Sequence, residues 1–510
     1  MRRVPLLVVP ALALVAAGPL AFAGRPLPAG CDGRTTLVQG GAAQPMLACA
    51  TSTGYATAES HVNVLPNGTV VFTPAVLPQK TLGIGQLPGD ALVAQSNASP
   101  GALAESSDGG VHWRLVMPSG TTWNPTDHGD YVDPVTGRWF FESYGPIPLY
   151  LPFGADQEGP SHLNVSGDRG RSWAHSVLRD TQITENAQFT AGAVPPGGDR
   201  PVGYPRVTYY CANISIGFTS PLITQRSCYR SLNGKDFAMR STILRSNVPV
   251  HSECLPYGEN LSAMDGHYPQ PGPRGSLYLM LSCGQKTYLA KSTDEALTFP
   301  MLHNGEAPRE VPVPPAATPD FNSSALQVLD DGTLVVVYQE ANHLKAKASG
   351  DEGRHWTAAF DVTAPGVGSV STWAVATRGH AMALAYLAEK NGRFYPWVAK
   401  LPDPRTLLQS RTTTVLSGQV QRGPALFGKG LVGPAPTGAG TIPGPGGTHL
   451  PFPPPFTIQL FGNDFIGAAL GPDGTAYGSF TQDCGPTPDS PGCLANGGQT
   501  RGLLGRLVAR

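Results

Sequence analysis

The chain has 510 residues, with 62 Gly and 51 Pro but only 14% charged residues, and a formal net charge of −1. A near-neutral chain without a basic stripe is a poor match for a polyanion, so no nucleic-acid partner is expected. The turn-rich composition points to an all-β protein. Its length exceeds one ordinary domain unless the fold is a closed array of small units.

Arg2 and Arg3 precede an apolar run, Val4 to Leu20, which ends in the small-x-small signal Ala21-Phe22-Ala23. Residues 1–23 therefore read as a secretory signal peptide, with Gly24 as the mature N-terminus. Pro5, Pro10 and Pro19 interrupt the run and disfavour a membrane span, and no later stretch is long and apolar enough for one. Leu27 to Cys31 superficially resembles a lipidation site, but Pro28 stands where an aliphatic residue is expected. The expectation is a secreted, extracellular monomer with no membrane span after signal cleavage. The eight cysteines (Cys31, Cys49, Cys211, Cys228, Cys254, Cys283, Cys484 and Cys493) are an even set without zinc-finger spacing, which suggests disulfides.

A repeat runs through the middle of the chain. Ser107-Asp108-Gly109-Gly110-Val111-His112-Trp113 recurs around Asp168 and Trp173, and again around Asp351 and Trp356. Degenerate copies centre on Asn233 and Asp294, ending in Phe237 and Phe299. The five Asp/Asn positions lie 60, 65, 61 and 57 residues apart, a spacing that suits a propeller blade. The physics of such a motif is local. The Asp accepts from N–H groups of a tight turn, the Gly takes a left-handed backbone, and the aromatic ring packs between sheets. Asp108, Asp168, Asn233, Asp294, Asp351, Trp113, Trp173 and Trp356 are accordingly read as structural.

This pattern, Ser-x-Asp-x-Gly-x-x-Trp, resembles the Asp-box, or bacterial neuraminidase repeat, of exported sialidase-like proteins. The resemblance covers most of the chain after residue 60 and implies an all-β propeller of four-stranded antiparallel blades. A strand–Gly-turn–strand unit also recurs, with turns at Asn67-Gly68, Thr136-Gly137, Arg274-Gly275, Asp331-Gly332, Arg378-Gly379 and Asp473-Gly474. Blade three is read as Ala187–Val194, a Pro/Gly turn, then Tyr204–Cys211. The units count to seven blades, whereas the resemblance favours six. The sixth and seventh lack a box. The last is short of a strand, which the segment 24–58 can supply from around Pro45–Ala50, leaving 59–510 as the propeller.

Chain direction puts the Gly turns and boxes at one end, the bottom. The long connections fall at the top: Leu178–Asn186, Ser241–His267, His303–Asn322 and Leu401–Asp464. The last of these contains the Gly/Pro-rich stretch 428–455. Long loops on a rigid scaffold are where sites sit, so the top is the expected functional face. Cysteine placement in this scheme suggests the local pairs 31–49, 211–228, 254–283 and 484–493.

Acids stand just before the inner strands: Glu59, Asp127 with Asp130, Glu185, Asp265, Asp320 and Asp464. His61, His128 and His267 accompany three of them. Three readings are open. Asp127, Asp320 and Asp464 could hold Ca²⁺ with backbone carbonyls. Asp127, Asp130, Asp265 and Asp464 could supply the acid and base or nucleophile of a glycosidase. Or the acids simply satisfy backbone N–H groups at loop–strand junctions. The resemblance implies a glutamate-assisted tyrosine nucleophile, for which Tyr338 with Glu340 is the candidate pair, and Glu142 with Tyr144 end a strand in the same way. It also implies three arginines clamping a carboxylate and a Phe/Tyr-Arg-Ile-Pro motif before the first box. Neither is found. Tyr204-Pro205-Arg206-Val207 is scrambled and out of place, and Arg138, Arg274 and Arg378 flank bottom turns. Gly462 to Gly467 followed by Asp473-Gly474 resembles a segment near the C-terminus of exported propellers of this type. No phosphate loop, nucleophile elbow or zinc-protease helix is present. The functional expectation is a propeller engaging an extracellular glycan at its top face, with sialidase-like exo-glycosidase chemistry as one reading. The other is a non-catalytic binding or scaffold propeller, stabilised by disulfides and Ca²⁺.

Overall fold

A computed structural model describes residues 26–55, 57, 60–75, 102–116, 130–144, 161–178, 183–216, 223–245, 270–283, 286–300, 309–314, 324–409, 412–423, 425, 432–434, 441–443, 449–451, 457–459, 466–483 and 500–509. The chain forms a seven-bladed β-propeller of antiparallel sheets. Blade 1 is His61–Val64, Val70–Ala75, Ala102–Ser106 and Arg114–Val116. Blade 2 is Asp130–Val132, Trp139–Tyr144, Ser161–Ser166 and Ala174–Val177, and blade 3 is Ile183–Gly192, Val207–Ile216, Ile223–Ser231 and Ala238–Arg245. Blade 4 is Gln270–Pro271, Leu277–Cys283, Lys286–Ser292 and Arg309–Val311, and blade 5 is Ser324–Val328, Leu334–Glu340, His343–Ser349 and Phe360–Asp361. Blade 6 is Val370–Arg378, Ala381–Lys390, Arg393–Leu401 and Val415–Gln419, with Leu37–Gln39 added at its outer edge.

Blade 7 joins the two ends of the chain. Its inner strands are Gly467–Leu470, Ala476–Asp483 and Thr500–Val508, and its fourth is the N-terminal Leu47–Ser52, with Cys31–Thr35 outside it. The ladder runs from Leu47 opposite Val508 to Ser52 opposite Leu503. The Cys31–Cys49 disulfide ties the added edge strand to the closing strand.

The turns follow from short side chains that imitate backbone. In blades 1, 5 and 7 the Asx residue of the Gly turn accepts from the N–H of the Thr two places on: Asn67 from Thr69 at 3.1 Å, Asp331 from Thr333 at 2.9 Å, Asp473 from Thr475 at 3.0 Å. The five box turns, in blades 1 to 5, share one pattern. Ser166 Oγ donates to Asp168 Oδ1 at 2.9 Å, while Ser172 donates its N–H to Oδ1 at 2.8 Å and its hydroxyl to Oδ2 at 2.6 Å. Those bonds, the Ser172 hydroxyl foremost, pull the Asp168 carboxyl down to about 2. Trp113, Trp173 and Trp356 each donate Nε1–H to the carbonyl of the box Gly, at 3.0, 3.2 and 3.2 Å. The degenerate copies hold the same way, with Asn233 accepting from Lys235 and Asp236 and Asp294 accepting from Thr298.

Each full box docks on the preceding blade. A methyl group on Gly110 would sit 2.5 Å from Leu504 of blade 7, one on Gly170 2.2 Å from Val116 of blade 1, and one on Gly353 2.6 Å from Leu289 of blade 4. The apolar clusters lie in the seams between blades rather than at one centre. Val71, Leu103 and Val116 meet Val132, Trp139 and Phe141 between blades 1 and 2, and Phe140 and Leu163 meet Phe189 and Tyr210 between blades 2 and 3.

Blade 3 differs from its sequence-based bounds. Its first two strands are Ile183–Gly192 and Val207–Ile216 rather than Ala187–Val194 and Tyr204–Cys211. Pro195, Pro196, Pro201 and Pro205 lack ladder donors and confine pairing to the stretches beyond them. Cys211 and Cys228 therefore form a disulfide directly across the middle of a ladder, not at a strand end. Cys254, Cys484 and Cys493, and hence the pairs 254–283 and 484–493, lie outside the described residues, as do residues 1–23 and most of 428–455. Among the described residues no helix is long and apolar enough to cross a membrane.

Two glycines with nearly equal backbones separate the turn from the docking. Gly68 has φ +85° and open space around it, while Gly110 has φ +88° and faces Leu504 and Thr51. Gly68→Ala is expected to cost about 1–2 kcal/mol, the left-handed backbone alone. Gly110→Ala is expected to cost about 3 kcal/mol or more, because overpacking adds to it. Urea unfolding of both variants checks the difference; equal losses would show that the box does not bear on blade 7.

Candidate functional site

His61 and Asp130 are the first residues of the innermost strands of blades 1 and 2, at the end opposite the Gly turns. Period-two alternation puts His61, Asn63 and Leu65 on the face of blade 1 that meets blade 2, and Asp130 and Val132 on the answering face. Asn63 spans the seam with both ends of its amide. Its Nδ2 donates to Asp130 Oδ2 at 2.6 Å, and its Oδ1 accepts from the Val132 N–H at 3.4 Å. His61 Nδ1 lies 3.9 Å from Asp130 Oδ1, and the Asp130 side chain is only 2% exposed against 14% for His61. Burial pushes the Asp130 carboxyl above the usual carboxylate range, outweighing the opposing influence of His61, Thr73 and Asn63. The seam thus holds an acid that retains its proton to higher pH than an exposed aspartate, beside a partly accessible imidazole. Of the sequence candidates, His61 and Asp130 are brought together. Asn63 and Thr73 were missed, although Asn63 shares the strand face of His61 two residues along.

The next seam carries a second buried carboxyl. Tyr210 of blade 3 donates its hydroxyl to Glu142 Oε1 of blade 2 and lies 2.8 Å from Ser161 Oγ. Glu142, Tyr210 and Ser161 are all fully buried, and burial, reinforced by Glu142, holds the Tyr210 hydroxyl protonated far above its usual range. A Tyr–Glu contact therefore exists, but between neighbouring blades rather than along one strand. Tyr338 and Glu340 do not form such a pair. Tyr338 is buried in the seam between blades 4 and 5 among Tyr278, Leu326 and Val336. Its hydroxyl is pushed up to about 12, by burial first and then by Glu340. Glu340 turns instead to Lys345, at 2.7 Å across its own hairpin. The Tyr144 and Glu185 side chains, and the whole of Glu59, Asp127, His128, Asp265, His267, Asp320 and Asp464, lie outside the described residues. Among the described residues, no three His, Cys, Asp or Glu side chains gather as a metal site.

The arginines of the lower turns serve the framework. Arg206 pairs with the wholly buried Asp133, which also accepts from the Tyr204 hydroxyl. Arg138 lies over the Tyr204 ring and donates to the Asn233 carbonyl at 3.0 Å. Arg378 of blade 6 donates to the carbonyls of Val64, Leu470 and Pro134 at 3.2–3.3 Å, so one guanidinium joins blades 6, 1, 7 and 2 at the lower end of the axis.

No family model matches the chain, and no curated protein matches it. Solved structures with a similar fold include the intramolecular trans-sialidase from Ruminococcus gnavus, 12% identical over 90% of this chain and 96% of that one, with a TM-score of 0.35. The NanB sialidase from Streptococcus pneumoniae is 10% identical over 90% of this chain and 69% of that one, with a TM-score of 0.37. The Kuenenia stuttgartiensis hydrazine synthase is 11% identical over 84% and 94%, with a TM-score of 0.39. Likeness at this level, shared by enzymes of unrelated chemistry, carries no functional argument, and function has to be argued from the chain's own residues.

Because its folded pKa is raised, Asp130 costs stability as pH climbs from the unfolded value, about 3.9, toward the folded one. Asp130→Asn removes that titration while leaving an oxygen for Asn63. The variant is expected to gain on the wild type as pH rises from the unfolded value of about 3.9 toward the raised folded one, as urea melts at several pH values will read. A difference that does not vary with pH would show that the carboxyl is not desolvated.

Proposed function

We propose that the protein is an exported propeller that acts on extracellular glycans at its upper rim, with Asp130 as the proton donor. The supporting observation is the desolvated Asp130 carboxyl beside His61 at the rim end of two inner strands. A general acid for glycoside cleavage has to hold its proton near neutral pH, and burial is the usual means. The second carboxylate of such a reaction is assigned to Asp127, three residues upstream, or to Asp265 or Asp464, which precede the innermost strands of blades 4 and 7 in sequence. Ca²⁺ on Asp127, Asp320 and Asp464 is part of the same proposal, as a brace for those loops.

A specific observation favours the second reading, a non-catalytic binding or scaffold propeller. Arg138, Arg206 and Arg378 are all committed to framework contacts, and Tyr210 with Glu142 is sealed in a seam. The experiment that separates the two is hydrolysis of a fluorogenic sialoside panel, extended to other aryl glycosides, by protein lacking residues 1–23, with and without Ca²⁺. Turnover that falls at least a hundredfold in Asp130→Asn, and in Asp127→Ala or Asp464→Ala, supports the enzyme. Absence of turnover on every sugar by folded protein rejects it and leaves glycan-array binding as the measurement of the alternative.

A further inference from the structure

Blade 2 carries a pair of histidines that neither the framework nor the proposed chemistry uses. His162 lies on its third strand and His175 on its fourth, and the register places His162 opposite Val177 and Asn164 opposite His175. The two histidines are thus diagonal neighbours on one face of the sheet, at its upper periphery, with His175 exposed and His162 half-buried. Their ring centres are 5.2 Å apart, with the planes inclined at 47°. Two imidazoles sharing one tetrahedral ion at about 2.1 Å per nitrogen have ring centres about 5 Å apart.

The tautomer is set from behind. Asn164, wholly buried, donates Nδ2 toward the His162 carbonyl at 3.4 Å, which leaves its Oδ1 as the atom 3.0 Å from His175 Nδ1. An amide oxygen only accepts, so His175 Nδ1 carries the hydrogen and Nε2 keeps its lone pair. A buried acceptor holding one ring nitrogen while the other is left free is the usual support of a metal-bound histidine.

We propose that His162 and His175 chelate one late first-row divalent cation, Zn²⁺ or Cu²⁺, with Asn164 positioning His175 and solvent completing the coordination. Neutral imidazole suits these ions, and Cu²⁺ is the tighter of the two. The ion would clip the four-residue outer strand Ala174–Val177 to the strand inside it. The site is independent of any glycan chemistry at the rim.

The test uses tag-free protein lacking residues 1–23, stripped with EDTA, dialysed, and titrated calorimetrically with Zn²⁺ and with Cu²⁺ at pH 7.5. The expected result is one site per chain, bound more tightly by Cu²⁺. Its affinity should fall at least tenfold in His162→Gln or His175→Gln, vanish in the double variant, and be lost on acidification to pH 5 as the imidazoles protonate. Cu²⁺ electron paramagnetic resonance should show coupling to two nitrogens in the wild type and lose it in the double variant. The Gln side chains replace exposed and half-buried rings, and metal-free melts matching the wild type confirm that the variants fold. Absence of binding by the wild type, or the same affinity and stoichiometry in the double variant, overturns the proposal.

Discussion

The ring is held shut by one ladder between residues at opposite ends of the chain, and every seam depends on it. Leu47–Ser52 pairs with Leu503–Val508 and so completes blade 7 from the N-terminus. Without that strand, Thr500–Val508 would present an open edge, and blade 7 would lose the sheet that carries its outer face. The chain reinforces the closure with contacts of different kinds. The Cys31–Cys49 disulfide anchors the added edge strand, and Arg506 donates to the carbonyls of Gly109 and Ala29, linking blade 7 to blade 1 and to the N-terminal segment. Closing so long a loop costs entropy, but the cost grows only with the logarithm of length, so one well-made ladder suffices.

Two adhesives join the blades. In blades 1, 2 and 5 the box turn pushes a glycine and an aromatic ring against the previous blade, so a motif read as local turn chemistry is also a long-range contact. Blades 6 and 7 have no box and approach through small residues instead. A methyl group on Gly478 would lie 2.9 Å from Ala385, and one on Gly505 2.6 Å from Val420. Arg378 supplements them by satisfying inner-strand carbonyls of blades 1 and 7 and a turn carbonyl of blade 2, which also seats a guanidinium across the lower end of the axis. The two ends of the propeller thereby become unlike. The lower is tied by backbone-directed side chains, while at the upper the first residues of the inner strands of blades 1 and 2 meet as His61 and Asp130.

Blade 2 stands apart chemically because its inner strands bring carboxyls into both of its seams. Asp130 faces blade 1, while Glu142 and Asp133 face blade 3. Their partners decide what each can do. Asp133 meets an arginine and is a framework ion pair, and Glu142 meets a tyrosine in a sealed pocket. Asp130 meets an amide and an imidazole, and burial holds its pKa above the usual carboxylate range.

Whatever depended on contacts within a few residues was legible in the sequence. The box hydrogen bonds span four residues at most, and the Asx-Gly turns two, so Asp168 with Ser172 and Asn67 with Thr69 could be read directly. The strand–turn units gave the count of seven, and the short last unit pointed to the N-terminus for its missing strand. Blade 3 was misplaced by a few residues, since proline positions outweigh alternation in setting where pairing stops. Tertiary structure decided everything that lies across a seam. Alternation tells which residues share a face, but not which residue of the next blade each will meet. Tyr338 and Glu340, two apart on one strand, therefore go to a core and to Lys345, while Tyr210 finds Glu142 from 68 positions away. The raised pKa of Asp130 belongs to the same class, because its desolvation and its Asn63 partner, 67 positions back, come only when blades 1 and 2 close on each other.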